Sequence, residues 1–162
     1  MNEISPHLLS PLSWDGLSLT SRVVMAPMTR GRAGKEMVAN DLVATYYAQR
    51  ASAGLIISEG TFTSPQAVGW AQAPGIWTDG QVEGWKKVTA AVHGRDTPIF
   101  VQLWHTGRAS HPDFLDGNSP VAPSAVKLEG DPVRTTSGKN KERVTPRALD
   151  TNEIPGIVAD YR

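Results

Sequence analysis

Three short polar clusters contain the side chains of this chain that are best suited to bind a small molecule. They are Pro27-Met28-Thr29-Arg30, Ser58-Glu59-Gly60-Thr61 and Gln102-Leu103-Trp104-His105. They offer hydroxyl, carboxylate and amide groups that can hydrogen-bond a ligand. Each cluster ends an apolar run, so the position of its side chains in the fold depends on the secondary structure that the run forms.

The apolar runs before the clusters are predicted to be strands. Residues 22–27 are almost continuously apolar, which suits a parallel strand that is covered on both faces, and Pro27 should end it. A second strand is predicted to begin at residues 55–57 and to end in the cluster at 58–61. Residues 98–104 form the third.

Two helices are predicted between these strands. Residues 39–53 carry an apolar stripe at helical spacing, and Gly54 is placed in the C′ position that favours glycine. The second helix begins at Thr78, which forms a capping box with Gln81, and ends at Gly94.

Alternating strands and helices indicate a parallel sheet built from right-handed βαβ units. A doubly wound sheet and a (β/α)₈ barrel both fit this order. In either fold, ligands bind outside the carboxyl ends of the strands, so the three clusters predict one binding surface. The alternative is that they are ordinary polar loops at strand ends.

The remaining segments do not follow the alternation of strands and helices. Residues 9–22 predict a hairpin around the turn Asp15-Gly16. Residues 105–149 are rich in Pro, Gly and Ser, and a loop of this length is typical of a functional lid. Within it, edge strands are predicted at 120–126 and 143–144, with Ser137-Gly138 near the tip of their hairpin. A last helix begins at Asp150 and is still in progress at the end of the chain.

Composition excludes several functions. Lysine plus arginine equals aspartate plus glutamate at 16 each, which gives no electrostatic reason to expect nucleic acid or a membrane as partner. The chain has no cysteine, which excludes disulfides and thiolate catalysis. No apolar run approaches the roughly 20 residues that span a bilayer. Residues 1–6 lack the features of a signal peptide, so we expect a cytoplasmic location.

The chain resembles the Old Yellow Enzyme family over essentially all of its 162 residues. The resemblance covers the first-strand motif, the first helix with the second strand, the second crossover, the third strand and the lid region, in the family's order. The matching blocks are residues 22–30, 46–61, 74–77, 84–89, 102–108, 120–124 and 146–149.

This resemblance implies that residues 1–162 are the N-terminal half of one (β/α)₈ TIM-barrel domain, with 105–149 as a lid or capping excursion. The family's catalytic His/Asn or His/His pair, its tyrosine proton donor, a flavin-binding arginine and its phosphate-binding loops match nothing in this chain. We therefore expect the chain to be active only with a complementary C-terminal half, either a second polypeptide or the remainder of a longer one.

The implied activity is that of an FMN-dependent ene-reductase. In the family, NAD(P)H passes a hydride to FMN, and the flavin then reduces activated C=C bonds such as those of enones, maleimides and nitroalkenes. The alternatives are an inactive half-barrel binding or scaffold fragment without turnover, and a different flavin or phosphate enzyme on the same barrel.

The resemblance also assigns cofactor contacts. Thr29 matches a threonine whose hydroxyl binds the flavin O4 and tunes its reactivity. Ala26, Pro27 and Met28 would lie beside the ring. Gly60 would allow close approach of the backbone.

Further positions match the polar edge of the cofactor and the substrate pocket. Gln102 would bind the pyrimidine edge of the flavin, because an amide donates and accepts at once. Trp104 would shape the substrate pocket, and Trp70 stands where many family members have a tyrosine near the substrate mouth. Glu59 is expected to be a structural partner and not a base.

No metal site is expected. His105 and His111 are six positions apart with no carboxylate cluster, and both are interpreted as structural. Lys139, Lys141 and Arg143 form a small basic run in the lid. It is interpreted as a solvated loop, with contact to a nicotinamide phosphate as the alternative.

Overall fold

A computed structural model describes residues 7–162. Residues 1–6, on which the predicted absence of a signal peptide rests, lie outside the described part. The chain folds around a small parallel sheet with two helices, a hairpin before it and a long excursion after it. The elements are β1 (Leu12–Trp14), β2 (Leu17–Leu19), β3 (Val24–Met25), α1 (Asp41–Ala48), β4 (Leu55–Phe62), α2 (Asp79–His93), β5 (Ile99–Trp104), β6 (Val121–Ala122), β7 (Val133–Arg134), β8 (Asn140–Lys141), β9 (Arg147–Ala148) and α3 (Ile154–Ala159).

The parallel sheet predicted from the sequence is confirmed, in the order β3-β4-β5. The central strand, β4, is almost entirely buried, as its apolar sequence requires. Its ladder with β5 is interrupted by a β-bulge, because Ile57 pairs with Phe100 but Gly60 pairs with Gln102. Two residues of β4 therefore oppose one residue of β5.

The second helix begins where its sequence indicates, whereas α1 begins two residues after the predicted start at 39. The last helix is predicted to run from Asp150 to the end of the chain, but α3 begins at Ile154 and ends at Ala159. The Asn40 side chain caps α1 by accepting hydrogen bonds from two backbone N–H groups of its first turn. The predicted capping box between Thr78 and Gln81 is present at the start of α2. The buried faces of the two helices meet over β4 and form the main hydrophobic core, which consists of Ala39, Val43, Tyr47, Ala51, Ile56, Trp85, Val88 and Val92.

The predicted place of Gly54 at the C′ position of the first helix is wrong. α1 ends at Ala48, and Gln49 is its C-cap. Gly54 instead lies where two segments of backbone touch, since a Cβ atom there would overlap the carbonyl oxygen of Ser21. Its N–H donates to Val23 O at 2.8 Å. Glycine is required here by close packing of the chain.

The first hairpin is confirmed. β1 and β2 pair antiparallel, and the turn residues Asp15 and Gly16 have φ angles of 45° and 80°. Two consecutive positive φ angles are typical of the type I′ turn that favours Asp-Gly.

The strands predicted inside the 105–149 excursion are partly wrong. Ser137-Gly138 does lie at a hairpin tip, but the paired strands are β7 and β8. β6 pairs with β9 in parallel, at the base of the excursion. The pairing forms at two apolar residues, Val121 and Ala122, which are buried, whereas the residues that follow them are exposed.

The prediction that the first strand is covered on both faces is also wrong for this chain. Val24 of β3 is 46% exposed, and Phe100, Val101 and Leu103 of β5 are 48%, 40% and 38% exposed. Among the described residues, the main sheet has three parallel strands and does not close into a barrel, so both of its edge strands, β3 and β5, lack an outer neighbour. Between residues 7 and 162 no helix has the length and apolar character needed to cross a membrane.

Candidate functional site

The carboxyl ends of the three parallel strands bring the polar clusters to one edge of the sheet. We call this edge the rim and define it as residues 26–30, 58–61 and 102–105. Gly60 and Gln102 are direct register partners across β4 and β5. The prediction that the clusters come together at one end of the sheet is confirmed, although Ser58, Glu59 and Thr61 are buried there. A binding role of this rim stays a prediction.

The rim offers polar side chains that the protein does not use. Thr29 and Gln102 are exposed, and in residues 7–162 neither side chain makes a hydrogen bond to the protein. Met28 is 44% exposed beside them, and Ala26 is also exposed. A hydroxyl and an amide next to an apolar surface suit a planar ligand with a polar edge.

Glu59 connects the first cluster to the second. Its Oε2 atom accepts hydrogen bonds from the backbone N–H groups of Arg30 at 2.8 Å and Gly31 at 3.2 Å. The residue is 1% exposed, and its other oxygen, Oε1, has no partner in the described part of the chain. Burial raises the pKa of Glu59, while the two N–H groups oppose the shift. Its contacts are those of a structural partner, as the sequence predicts.

The backbone of the bulge is fixed by two further side chains. The Glu59 N–H donates to the hydroxyl of Tyr47 at 2.7 Å, which ties the bulge to α1. Burial raises the pKa of the Tyr47 hydroxyl. The Gln102 N–H donates to Ser58 Oγ at 3.1 Å, which ties the bulge to β5. The sequence analysis places Ser58 in a polar cluster but does not predict that the hydroxyls of Ser58 and Tyr47 hold the bulge, because both contacts join segments that are distant in sequence.

The need for glycine at position 60 is explained first by its neighbour on β5. A Cβ atom at this position would overlap the indole ring of Trp104. Trp104 in turn stacks on Phe62, with ring centroids 5.2 Å apart and an interplanar angle of 21°. The contact of Gly60 with a cofactor stays a prediction, and the packing of Trp104 is a second reason for glycine.

Trp70 lies on a loop that follows β4 and is 52% exposed. Its loop is attached to the end of β5, because the Thr106 N–H donates to Ala67 O at 3.0 Å. A Cβ atom at Gly69 would overlap the Thr106 side chain, so this contact is close. The loop therefore lies at the rim end of the sheet, and a substrate contact of Trp70 stays a prediction.

Both histidines of the third-strand region accept backbone hydrogen bonds. His105 Nδ1 accepts from Gly107 N at 3.0 Å, and His111 Nδ1 accepts from Asp113 N at 3.1 Å. Burial lowers the pKa of His105, with a weaker opposing effect from Asp160. Within the described range, no group of three or more His, Cys, Asp or Glu side chains could hold a metal ion.

Two of the three side chains of the basic run at 139–143 are held by protein contacts. Lys141 pairs with Asp113 at 2.8 Å. Arg143 donates to the carbonyl oxygens of Asp131 at 3.0 Å and Ala109 at 3.1 Å. These two side chains brace the excursion, and contact with a nicotinamide phosphate stays an untested alternative.

Comparison with known proteins places these features in a family. The model of the NADH:flavin oxidoreductase / NADH oxidase family matches residues 7–162. A flavin oxidoreductase of Emericella nidulans is 44% identical over 99% of this chain and 42% of its own length. Morphinone reductase in complex with tetrahydroNAD has 53% identity and a TM-score of 0.89, over 96% of this chain and 44% of the other. The old yellow enzyme homologue from Zymomonas mobilis has 47% identity and a TM-score of 0.91, over 96% and 43%.

The chain thus spans less than half the length of the relatives that it matches. The match nevertheless includes every residue of the rim.

Proposed function

Because the chain belongs to the NADH:flavin oxidoreductase / NADH oxidase family, we propose that it forms the N-terminal part of an FMN-dependent ene-reductase. The observation that carries this proposal is the pair of unused polar side chains, Thr29 and Gln102, beside the apolar Met28 on the rim. Their chemistry fits the isoalloxazine ring of FMN, which has apolar faces and a polar edge.

FMN, when bound, supplies a hydride carrier between NAD(P)H and an activated alkene. The Thr29 hydroxyl would donate a hydrogen bond to O4 of the ring, and a donor there stabilises negative charge. The Gln102 amide would bind the pyrimidine edge by donating and accepting at once. Ala26, Pro27 and Met28 would support the ring, and Gly60 would let the backbone approach it.

The substrate side of the site would include Trp104 and Trp70. The indole of Trp104 is held by its stacking on Phe62, so it can form a rigid wall. Enones, maleimides and nitroalkenes are the proposed substrates, since their double bonds are activated for hydride transfer.

The chain would act together with a complementary C-terminal half-barrel. Supporting this proposal, the apolar residues of β5 are left exposed, and so are three residues in and just after α3, Ile154, Val158 and Tyr161, at 48%, 47% and 41%. An exposed strand edge with an apolar surface is a docking site for further strands. Residues 1–162 would then be one part of a single barrel domain, with 105–149 as its lid. A cytoplasmic location stays a prediction.

The test is reassembly. The 162-residue chain is produced together with a separate C-terminal half from the Zymomonas mobilis relative, and the purified material is examined by absorption spectroscopy and intact mass. We expect a flavin band, both polypeptides in one complex, and NADPH-dependent reduction of cyclohexenone or a maleimide.

Matched variants connect that result to the rim. Thr29→Val preserves the shape of the side chain but removes the hydroxyl, so it should slow turnover and shift the flavin reduction potential. Thr89→Val, on the far side of α2, removes a hydroxyl without touching the rim and should do neither. A complex without flavin and without turnover would instead support the inactive scaffold fragment.

A further inference from the structure

The ladder between β3 and β4 stops before it reaches the predicted cofactor contacts. Its last register pair is Met25 with Ile56. Residues 26–29 follow it outside the strand, and Pro27 has no N–H with which to continue a ladder. These four residues, each a predicted cofactor contact, therefore need another means of being held.

The next connection to β4 is made by a side chain. The carboxylate of Glu59 accepts the N–H groups of Arg30 and Gly31, immediately after the segment. The guanidinium of Arg30 also lies 5.3 Å from the ring centroid of Tyr46 on α1. Residues 26–29 therefore lie between two attachments to β4: the last ladder pair before them and the buried carboxylate of Glu59 after them.

We propose that Glu59 is a positioning residue, which fixes the 26–29 segment against β4 by binding the amides of Arg30 and Gly31. The cofactor role of that segment rests on the proposed function, but the positioning itself does not. Glu59 makes no contact with a reacting atom in this scheme. It acts through the backbone that carries Thr29.

The bulge explains why a side chain can do this. Ser58 and Glu59 together oppose a single residue of β5, so the Glu59 N–H leaves the ladder and binds Tyr47 instead. That bond fixes the direction of the side chain, which is also buried. A carboxylate suits the position because one oxygen can accept two N–H groups, and charged acceptors bind more strongly than neutral ones.

The test is amide hydrogen exchange in the 162-residue chain, measured with the complementary half bound and also without it. Glu59→Ala removes the acceptor, and Glu59→Gln keeps an acceptor oxygen in almost the same volume. Thr63→Val is the matched control, since its buried Oγ1 has no partner in the described chain. Helix α2 reports on global unfolding.

We expect Glu59→Ala to speed exchange at Arg30 and Gly31 by about tenfold, which corresponds to about 1.4 kcal/mol, while α2 stays protected. Glu59→Gln should speed exchange by about threefold, because a neutral acceptor is weaker. Thr63→Val should leave both amides unchanged.

Unchanged exchange at Arg30 and Gly31 in a folded Glu59→Ala variant would overturn the proposal. If that variant loses protection in α2 as well, Glu59→Gln decides: faster exchange confined to the two amides supports the proposal, and an unchanged rate overturns it. This result can be read whether or not the chain binds FMN.

A second readout applies to the reassembled complex. Glu59→Gln should weaken FMN binding and shift its reduction potential, and Thr63→Val should not. If no complex binds FMN, the proposed function fails while the exchange experiment still stands. If FMN binds and Glu59→Gln changes neither property, the segment is held in some other way and the inference is wrong.

Discussion

The helical side of the sheet and its open edge bury their apolar residues to very different degrees. Under α1 and α2, Tyr47, Ile56 and Val88 are completely buried. On the edge strand β5, Phe100 and Leu103 are 48% and 38% exposed although they are no less apolar. The difference shows which apolar surfaces this chain covers by itself and which it leaves exposed to solvent.

The largest test of this comparison is a matched pair of truncations. Ile56→Ala removes side-chain volume under the helices and should lower the free energy of unfolding by about 2–5 kcal/mol. Leu103→Ala on the open edge should cost less, about 1–2 kcal/mol in the isolated chain, because the residue is only partly removed from water and its loss leaves no enclosed cavity. Urea unfolding of the two variants gives both values, and equal losses would contradict the comparison.

A smaller effect is expected where the covered and open strands meet. Gly60→Ala places a methyl group against the Trp104 ring, so it should destabilise the chain by about 1–3 kcal/mol through overpacking. It should also change the fluorescence of the tryptophans, because Trp104 must move. Gly80→Ala is the control, since a Cβ atom there meets nothing within 4 Å. Similar stability of the two variants would show that Trp104 moves aside without cost.

The smallest test compares two glutamates, Glu59 in the buried strand β4 and Glu153 just before α3. Burial raises the pKa of Glu59 in the folded chain above its ordinary 4.5. The raised pKa stabilises the folded state below pH 4.5, and this stabilisation is lost as the pH rises through the pKa of the folded chain. Glu153 is bound by Arg147 at 2.7 Å, which lowers its pKa to about 2. Its contribution is present above 4.5 and is lost as the pH falls toward 2.

Urea midpoints measured against pH for wild type, Glu59→Gln and Glu153→Gln check both signs. Relative to wild type, Glu59→Gln should gain stability as the pH rises above 4.5. Glu153→Gln should gain relative stability as the pH falls below 4.5. Parallel curves would show that neither carboxyl group titrates differently in the folded chain.

Local signals in the sequence predicted much of the fold. The Asp15-Gly16 turn and the Thr78 capping box each depend on a few neighbouring residues, and both are present. The order of strands and helices was also sufficient to predict that the polar clusters share one rim. Several of the features that the sequence did not predict arise from contacts between distant segments.

Gly54 illustrates the limit. Its position after a helical stripe suggests a helix end, whereas its real neighbour is Ser21, which precedes it by more than thirty residues. The contacts of Glu59 show the same limit, because the two N–H groups that its carboxylate accepts lie 28 and 29 positions earlier in the chain. The pairing of β6 with β9 likewise depends on the path by which the chain comes back to β6 at the end of the excursion, and no local sequence pattern indicates that path.

The short parallel pairing at the base of the excursion makes residues 123–146 a closed insert. Arg147 N donates to Pro120 O at 2.8 Å and Leu149 N donates to Ala122 O at 2.9 Å, so both ends of the insert are pinned together. The entropy of closing such a loop rises only slowly with its length. A change in the length of this segment should therefore add little closure entropy, provided that the pairing at its base is kept.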